Sequence, residues 1–105
     1  MIEKEIEKIL VSEVKKLGGR AHKWVSPGND GVPDRIVIFS GRPAIFVELK
    51  SDTGKLSALQ QIQIQRLQDL GQAVFVVKGI TGLSQFFHGL GYSDTSRALD
   101  KKYGL

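Results

Sequence analysis

Cysteine is absent from the 105 residues, which excludes a disulfide framework, a thiolate zinc site and a cysteine nucleophile. Histidine is nearly as scarce. His22 and His88 are too few for an all-histidine metal site, and neither sits in a Ser or Asp constellation, so both read as structural or surface residues. No apolar run approaches the roughly eighteen residues of a membrane span. The opening MIEKEIEKIL alternates acid and base and lacks the unbroken apolar stretch of a secretory signal. A cytoplasmic protein without a membrane partner is expected. Repeats and low-complexity linkers are missing too, so residues 1–105 read as a single domain. Acids are outnumbered, 11 against 15 Lys plus Arg, giving a net charge of +4. That surplus is compatible with a polyanionic partner.

The apolar pattern lays out the elements. Ile2, Ile6, Ile9, Leu10, Val14 and Leu17 fall on one stripe, predicting a helix over residues 2–17 that ends at Gly18-Gly19. A short extended run follows at 21–25, then a loop rich in Gly, Asn and Asp. Residues 35–39 and 44–49 predict two strands joined by Ser40-Gly41-Arg42-Pro43. Both are apolar at consecutive positions, which predicts a sheet covered on both faces. A helix over 57–70, a strand over 73–77 and a short helix over 83–90 complete the order α-β-β-β-α-β-α, a mixed α/β fold with helices on a central sheet. The core is expected within about 2–77. Residues 80–105, and the last thirteen above all, read as peripheral, with an oligomer contact as their use.

Chemistry concentrates in Gly31-Val32-Pro33-Asp34 and Glu48-Leu49-Lys50. A hairpin turn centred on Gly41 pairs positions that sum to 82, so Ile36 faces Phe46 and Asp34 faces Glu48. Side chains directly opposite on antiparallel strands share a face with Cβ atoms about 4.5–5.5 Å apart. Lys50, two residues beyond Glu48, points the same way. Two carboxylates this close repel unless a cation intervenes, and oxygen ligands favour Mg²⁺ or Mn²⁺. In the second predicted helix Gln60 lies on the inward stripe. Ser57-Ala58-Leu59-Gln60 also matches a capping box, and spacing alone gives capping the edge. In the first helix Glu3 and Glu13 fall within the apolar stripe and Glu7 at its edge. Periodicity does not choose among them. Phe86-Phe87 reads as core or an oligomer contact.

Gly-Val-Pro-Asp at 31–34, Phe-Val-Glu-Leu-Lys at 46–50 and Lys-Leu-Ser-x-x-Gln at 55–60 together resemble the virus-type replication-repair nuclease (VRR-NUC) family, a branch of the PD-(D/E)xK superfamily. The resemblance covers about three-quarters of the chain. It implies a restriction-endonuclease-like core (α-β-β-β-α-β) that hydrolyses DNA phosphodiesters with Mg²⁺ or Mn²⁺. By the same resemblance Asp34 and Glu48 are metal ligands, with the Leu49 carbonyl as a third. Lys50 is the catalytic lysine, Gln60 is the family glutamine that supports the site, a role compatible with capping, and Glu7 is the helix acid. Lys23 matches a basic position of relatives. Lys15, Lys16, Arg20, Arg35 and Lys55 are further candidates for holding substrate backbone. A chain of this length resembles the short bacteriophage and prophage members, which are associated with homodimers that cut four-way (Holliday) junctions in the bacterial cytoplasm. A two-fold pair suits symmetric nicking of two strands. The rival expectations are a flap- or end-directed nuclease, and a binding module without catalysis.

Overall fold

The computed structural model describes residues 1–104. Helix α1 spans Glu3–Lys16, followed by strands β1 (Arg20–Lys23), β2 (Arg35–Ile38) and β3 (Ile45–Lys50), helix α2 (Ala58–Asp69), strand β4 (Ala73–Lys78) and helices α3 (Gly79–Gly89) and α4 (Ser93–Tyr103). The sheet runs in the order β1-β2-β3-β4, antiparallel except for the parallel β3–β4 pair. Four strands in a mixed sheet with helices packed on it give the α/β architecture expected from the sequence. Ile36 pairs with Phe46, so the hairpin register summing to 82 is the observed one.

Helix α1 buries Ile6, Leu10 and Val14, the centre of the stripe read from sequence. Its stop is a Schellman motif: the Gly19 N–H bonds the Val14 carbonyl and the Gly18 N–H bonds the Lys15 carbonyl, both at 3.0 Å. Gly18 sits at φ +83°, the left-handed conformation that a residue without Cβ adopts at little cost.

The core differs from expectation in two ways. Of the segment expected to be peripheral, residues 80–104 are described and contribute to the core. Ile80, Leu83, Phe86, Phe87 and Leu99 belong to one buried cluster with the α1 stripe and with Val37, Ile45, Val47, Leu49 and Val77 of the sheet. The last turn segment is an ordered helix, α4, whose Ser96 meets Ser84 of α3 through a buried 2.7 Å hydroxyl pair. Its polar composition hid this, because only Leu99 and Tyr103 carry apolar bulk inward. Second, the sheet is not covered equally on both faces. Helices α1 and α3 close one face. On the other, α2 buries only Ile64, and Ile38 and Val76 stay 44% and 40% exposed. Consecutive apolar residues report strand propensity as well as burial, so the run did not tell a closed face from a half-open one. Glu48 lies on that half-open face, opposite Val76.

Candidate metal and catalytic site

Strand alternation puts Glu48 on the α2 side of the sheet, paired with Val76 of β4, while Val47 and Leu49 on either side of it enter the core. Its carboxylate is 1% exposed. Burying a charge is costly unless it is paired and hydrogen-bonded, and here the pairing is incomplete. Glu48 Oε2 accepts from Gln60 Nε2 at 3.1 Å and lies 3.6 Å from Lys50 Nζ. Glu48 Oε1 has no hydrogen-bond partner among the described residues. Burial, and next the nearby Asp34 carboxyl, push the Glu48 pKa from 4.5 up to about 8, with Lys50 opposing the shift in part. Such a group is under-supplied with positive charge.

Asp34 is set at the entry to β2. Its Oδ2 accepts from the Leu49 N–H at 2.8 Å, which ties it to the end of β3 beside Glu48, and its own carbonyl accepts from the Trp24 N–H at 2.9 Å. Pro33, fully buried, and Gly31 complete the approach. Gly31 is at φ +89°, and a Cβ there would lie 2.8–2.9 Å from the backbone of Leu59 and Gln60. The loop therefore touches the first turn of α2, which a side chain would prevent.

That contact fixes where Gln60 stands. The capping box is present in full: Ser57 Oγ accepts from the Gln60 N–H, and Gln60 Oε1 accepts from the Ser57 N–H at 2.9 Å. With Oε1 so engaged, the Nε2 end is left to donate to Glu48. Capping and support of the site are two ends of one amide.

Three carboxylates converge. Glu3, Asp34 and Glu48 each offer an oxygen, and these atoms lie within 4.8 Å of one another. An all-oxygen set with an unpartnered buried oxygen fits a hard divalent cation. The acid of α1 in this set is Glu3, in place of the expected Glu7. Glu7, one helical turn further on, accepts from Arg35 Nε at 2.8 Å. The stripe angle of Glu3 was the available signal, but the axial position of α1 against the sheet end decides between the two, and periodicity carries no information on it.

The remaining predicted residues divide by location. Arg35, Lys15 and Lys23 line a groove between α1 and β1, and Arg20 lines its continuation near Gly18 and Gly19. Lys16 instead pairs with Glu13 at 3.3 Å, and Lys55 is exposed in the loop before α2. His22 and His88 are exposed, and Phe86 and Phe87 are buried.

The chain is similar to known proteins in both sequence and fold. The VRR-NUC domain family matches residues 3–80. A protein of Acyrthosiphon pisum secondary endosymbiont phage 1, described as "Putative nuclease p44", is 49% identical over 75 residues, covering 71% of this chain and 81% of the relative. A solved structure described as "VRR_NUC domain" superposes with a TM-score of 0.75 at 26% identity, covering 82% of this chain and 94% of that one.

Proposed function

From the premise that the chain belongs to the VRR-NUC domain family and is a nuclease domain, we propose that it is a Mg²⁺- or Mn²⁺-dependent endodeoxyribonuclease acting on branched DNA. The observation that carries this reading is the buried Glu48 carboxylate, one oxygen unpartnered, within reach of Asp34 and Glu3 and beside Lys50. Asp34 and Glu48, with Glu3 and the Leu49 carbonyl, would hold the cation, which when bound supplies Lewis-acid activation of water and neutralises phosphate charge. In the reaction a water oxygen adds to phosphorus, the bond to the leaving sugar oxygen breaks, and that oxygen takes up a proton.

The side chains have separable tasks. Lys50 orients the attacking water and stabilises the charge that grows on the phosphate oxygens; losing such a contact costs on the order of a hundredfold or more in rate. Gln60 keeps the Glu48 carboxylate in one orientation. Asp34, tethered to the Leu49 N–H, holds the two strand ends at a fixed separation.

A homodimer that cuts four-way junctions is the specific form proposed, acting in the cytoplasm of a bacterial host. Exposed Leu59, Ile62 and Leu70 on and after α2, and Phe75 and Val76 on the edge strand β4, supply apolar surface for a second copy. The test compares end-labelled four-way junctions, flaps, splayed arms and plain duplex with Mg²⁺ or Mn²⁺. Junction cleavage that falls at least a hundredfold in Asp34→Asn, Glu48→Gln and Lys50→Ala is the expected result. Variants that cut as well as the parent would remove the site, and preference for flaps would make the enzyme flap-directed.

A further inference from the structure

A basic concavity lies on the other side of the sheet end from Glu48. It is a groove of about 560 Å³ between α1 and β1, lined by Lys4, Lys8, Lys15, Lys23, Arg35 and Glu7 among others. Five cations thus face one carboxylate, and that carboxylate is already committed to Arg35. Like charges so gathered repel one another unless a polyanion lies among them.

Arg35 is held more firmly than the lysines. Its Nε–H donates to Glu7 Oε2 at 2.8 Å and one Nη donates to the Ala21 carbonyl at 3.1 Å. These bonds fix the guanidinium plane and spend two of its five N–H donors. The side chain keeps 20% exposure, so remaining donors can meet a ligand in the planar fork that suits phosphate. Along the chain the groove residues adjoin those of the acidic cluster. Arg35 follows Asp34, and by the two-residue strand period it points to the opposite face. Lys4 follows Glu3 in the same helical turn. From Lys4 to Lys15 the helix rises about 16 Å at 1.5 Å per residue, the axial length of roughly five nucleotides of one strand at 3.4 Å each.

We propose that the α1–β1 groove is a track for one phosphodiester backbone leading away from the acidic cluster, with Arg35 as its anchor and Glu7 as the residue that positions Arg35. The proposal rests on the nuclease reading for the identity of the polyanion. It extends that reading by giving the flanking strand a path and by giving Glu7 a task outside the chemistry. Lys16 and Lys55 lie off this path.

Fluorescence anisotropy with labelled single-stranded and junction DNA in EDTA, where binding is read without cleavage, tests it. Lys4→Ala, Lys8→Ala and Lys15→Ala should each weaken binding several-fold. Each should also lower the slope of log affinity against log salt by about 0.7–0.9, the value for one lost phosphate contact. Lys16→Ala and Lys101→Ala, cations outside the groove, serve as controls. Glu7→Ala should weaken binding about tenfold and act on cleavage mainly through KM, and Glu7→Gln, which still accepts from Arg35, should restore most of the loss. Groove variants that bind like the parent, or bind no worse than the controls, would overturn the track. A Glu7→Ala defect confined to kcat would overturn the positioning role. If Glu7→Ala melts below the assay temperature, Arg35→Lys and the lysine variants decide the matter. The nuclease reading fails separately: Asp34→Asn should keep parental binding while losing cleavage, and an Asp34→Asn protein that cuts normally would sink the site and leave the groove to be judged by anisotropy alone.

Discussion

At Glu48 the stability of the fold and the proposed metal site pull in opposite directions. Its folded-state pKa of about 8 stands above the ordinary 4.5, so the native protein binds more protons than the unfolded chain between those values. The stability this contributes is fully present below about pH 4.5 and is lost as pH rises through 8. Without divalent cation the melting temperature should therefore fall from pH 5 to pH 8, and Glu48→Gln should flatten that fall while abolishing cleavage. Mn²⁺ should raise the melting temperature more at pH 8 than at pH 5, because it binds the ionised native site. Thermal melts of parent and variant in EDTA and in Mn²⁺ check all three; equal pH dependence in parent and Glu48→Gln would contradict the assignment. At this scale the sequence was informative about Asp34, Glu48, Lys50 and Gln60, since strand period and hairpin register alone bring the first three together. It offered Glu3 only as one of several acids on or beside the α1 stripe, with nothing in the periodicity to choose among them.

Elements meet at close quarters around the loop that carries Gly31. Gly31→Ala asks a left-handed backbone to accept a side chain and drives a Cβ against the first turn of α2. We expect a loss of about 2 kcal/mol or more, with cleavage reduced further because Gln60 moves with the helix. Urea denaturation and nicking rates measure the two effects, and a variant as stable and active as the parent would show the contact to be slack. Helix α4 supplies the second element-scale prediction. Leu99 is 2% exposed in the core, so Leu99→Ala should cost about 2–4 kcal/mol in the same denaturation experiment. Little change would return α4 to the peripheral role that its polar sequence suggested. Helix ends were legible because Gly18, Gly71 and Gly91 punctuate apolar periodicity. The packing of α4 was not, since one buried leucine makes no stripe.

For the whole molecule, a compact sheet with one closed face and one half-open face has a direct consequence. The open sheet face exposes Ile38 and Val76, and α2 beside it exposes Ile62, apolar surface of the kind that a partner can cover. If a second copy covers it, light scattering at micromolar concentration should give twice the chain mass, and Ile62→Glu should return the mass to that of one chain without lowering the melting temperature of the monomer. A parent protein that stays monomeric would remove the dimer from the functional reading. The described residues contain no helix long and apolar enough to cross a membrane.

By itself the sequence determined the strands, the register of the β2–β3 hairpin and the meeting of Asp34 with Glu48, because strand period and turn position are local rules that a one-residue slip would break. It also determined the end of α1 and both ends of α2, through glycines and a capping box that act within a few residues, while the start of α3 at Gly79 lies four residues before the expected one and α4 was not foreseen. Tertiary structure alone decided that Glu3 joins the acids while Glu7 turns to Arg35, that α4 belongs to the core, and that one sheet face stays half open. Each of these depends on where a helix lies along the sheet, a distance set by packing between residues far apart in the chain and by no pattern within it.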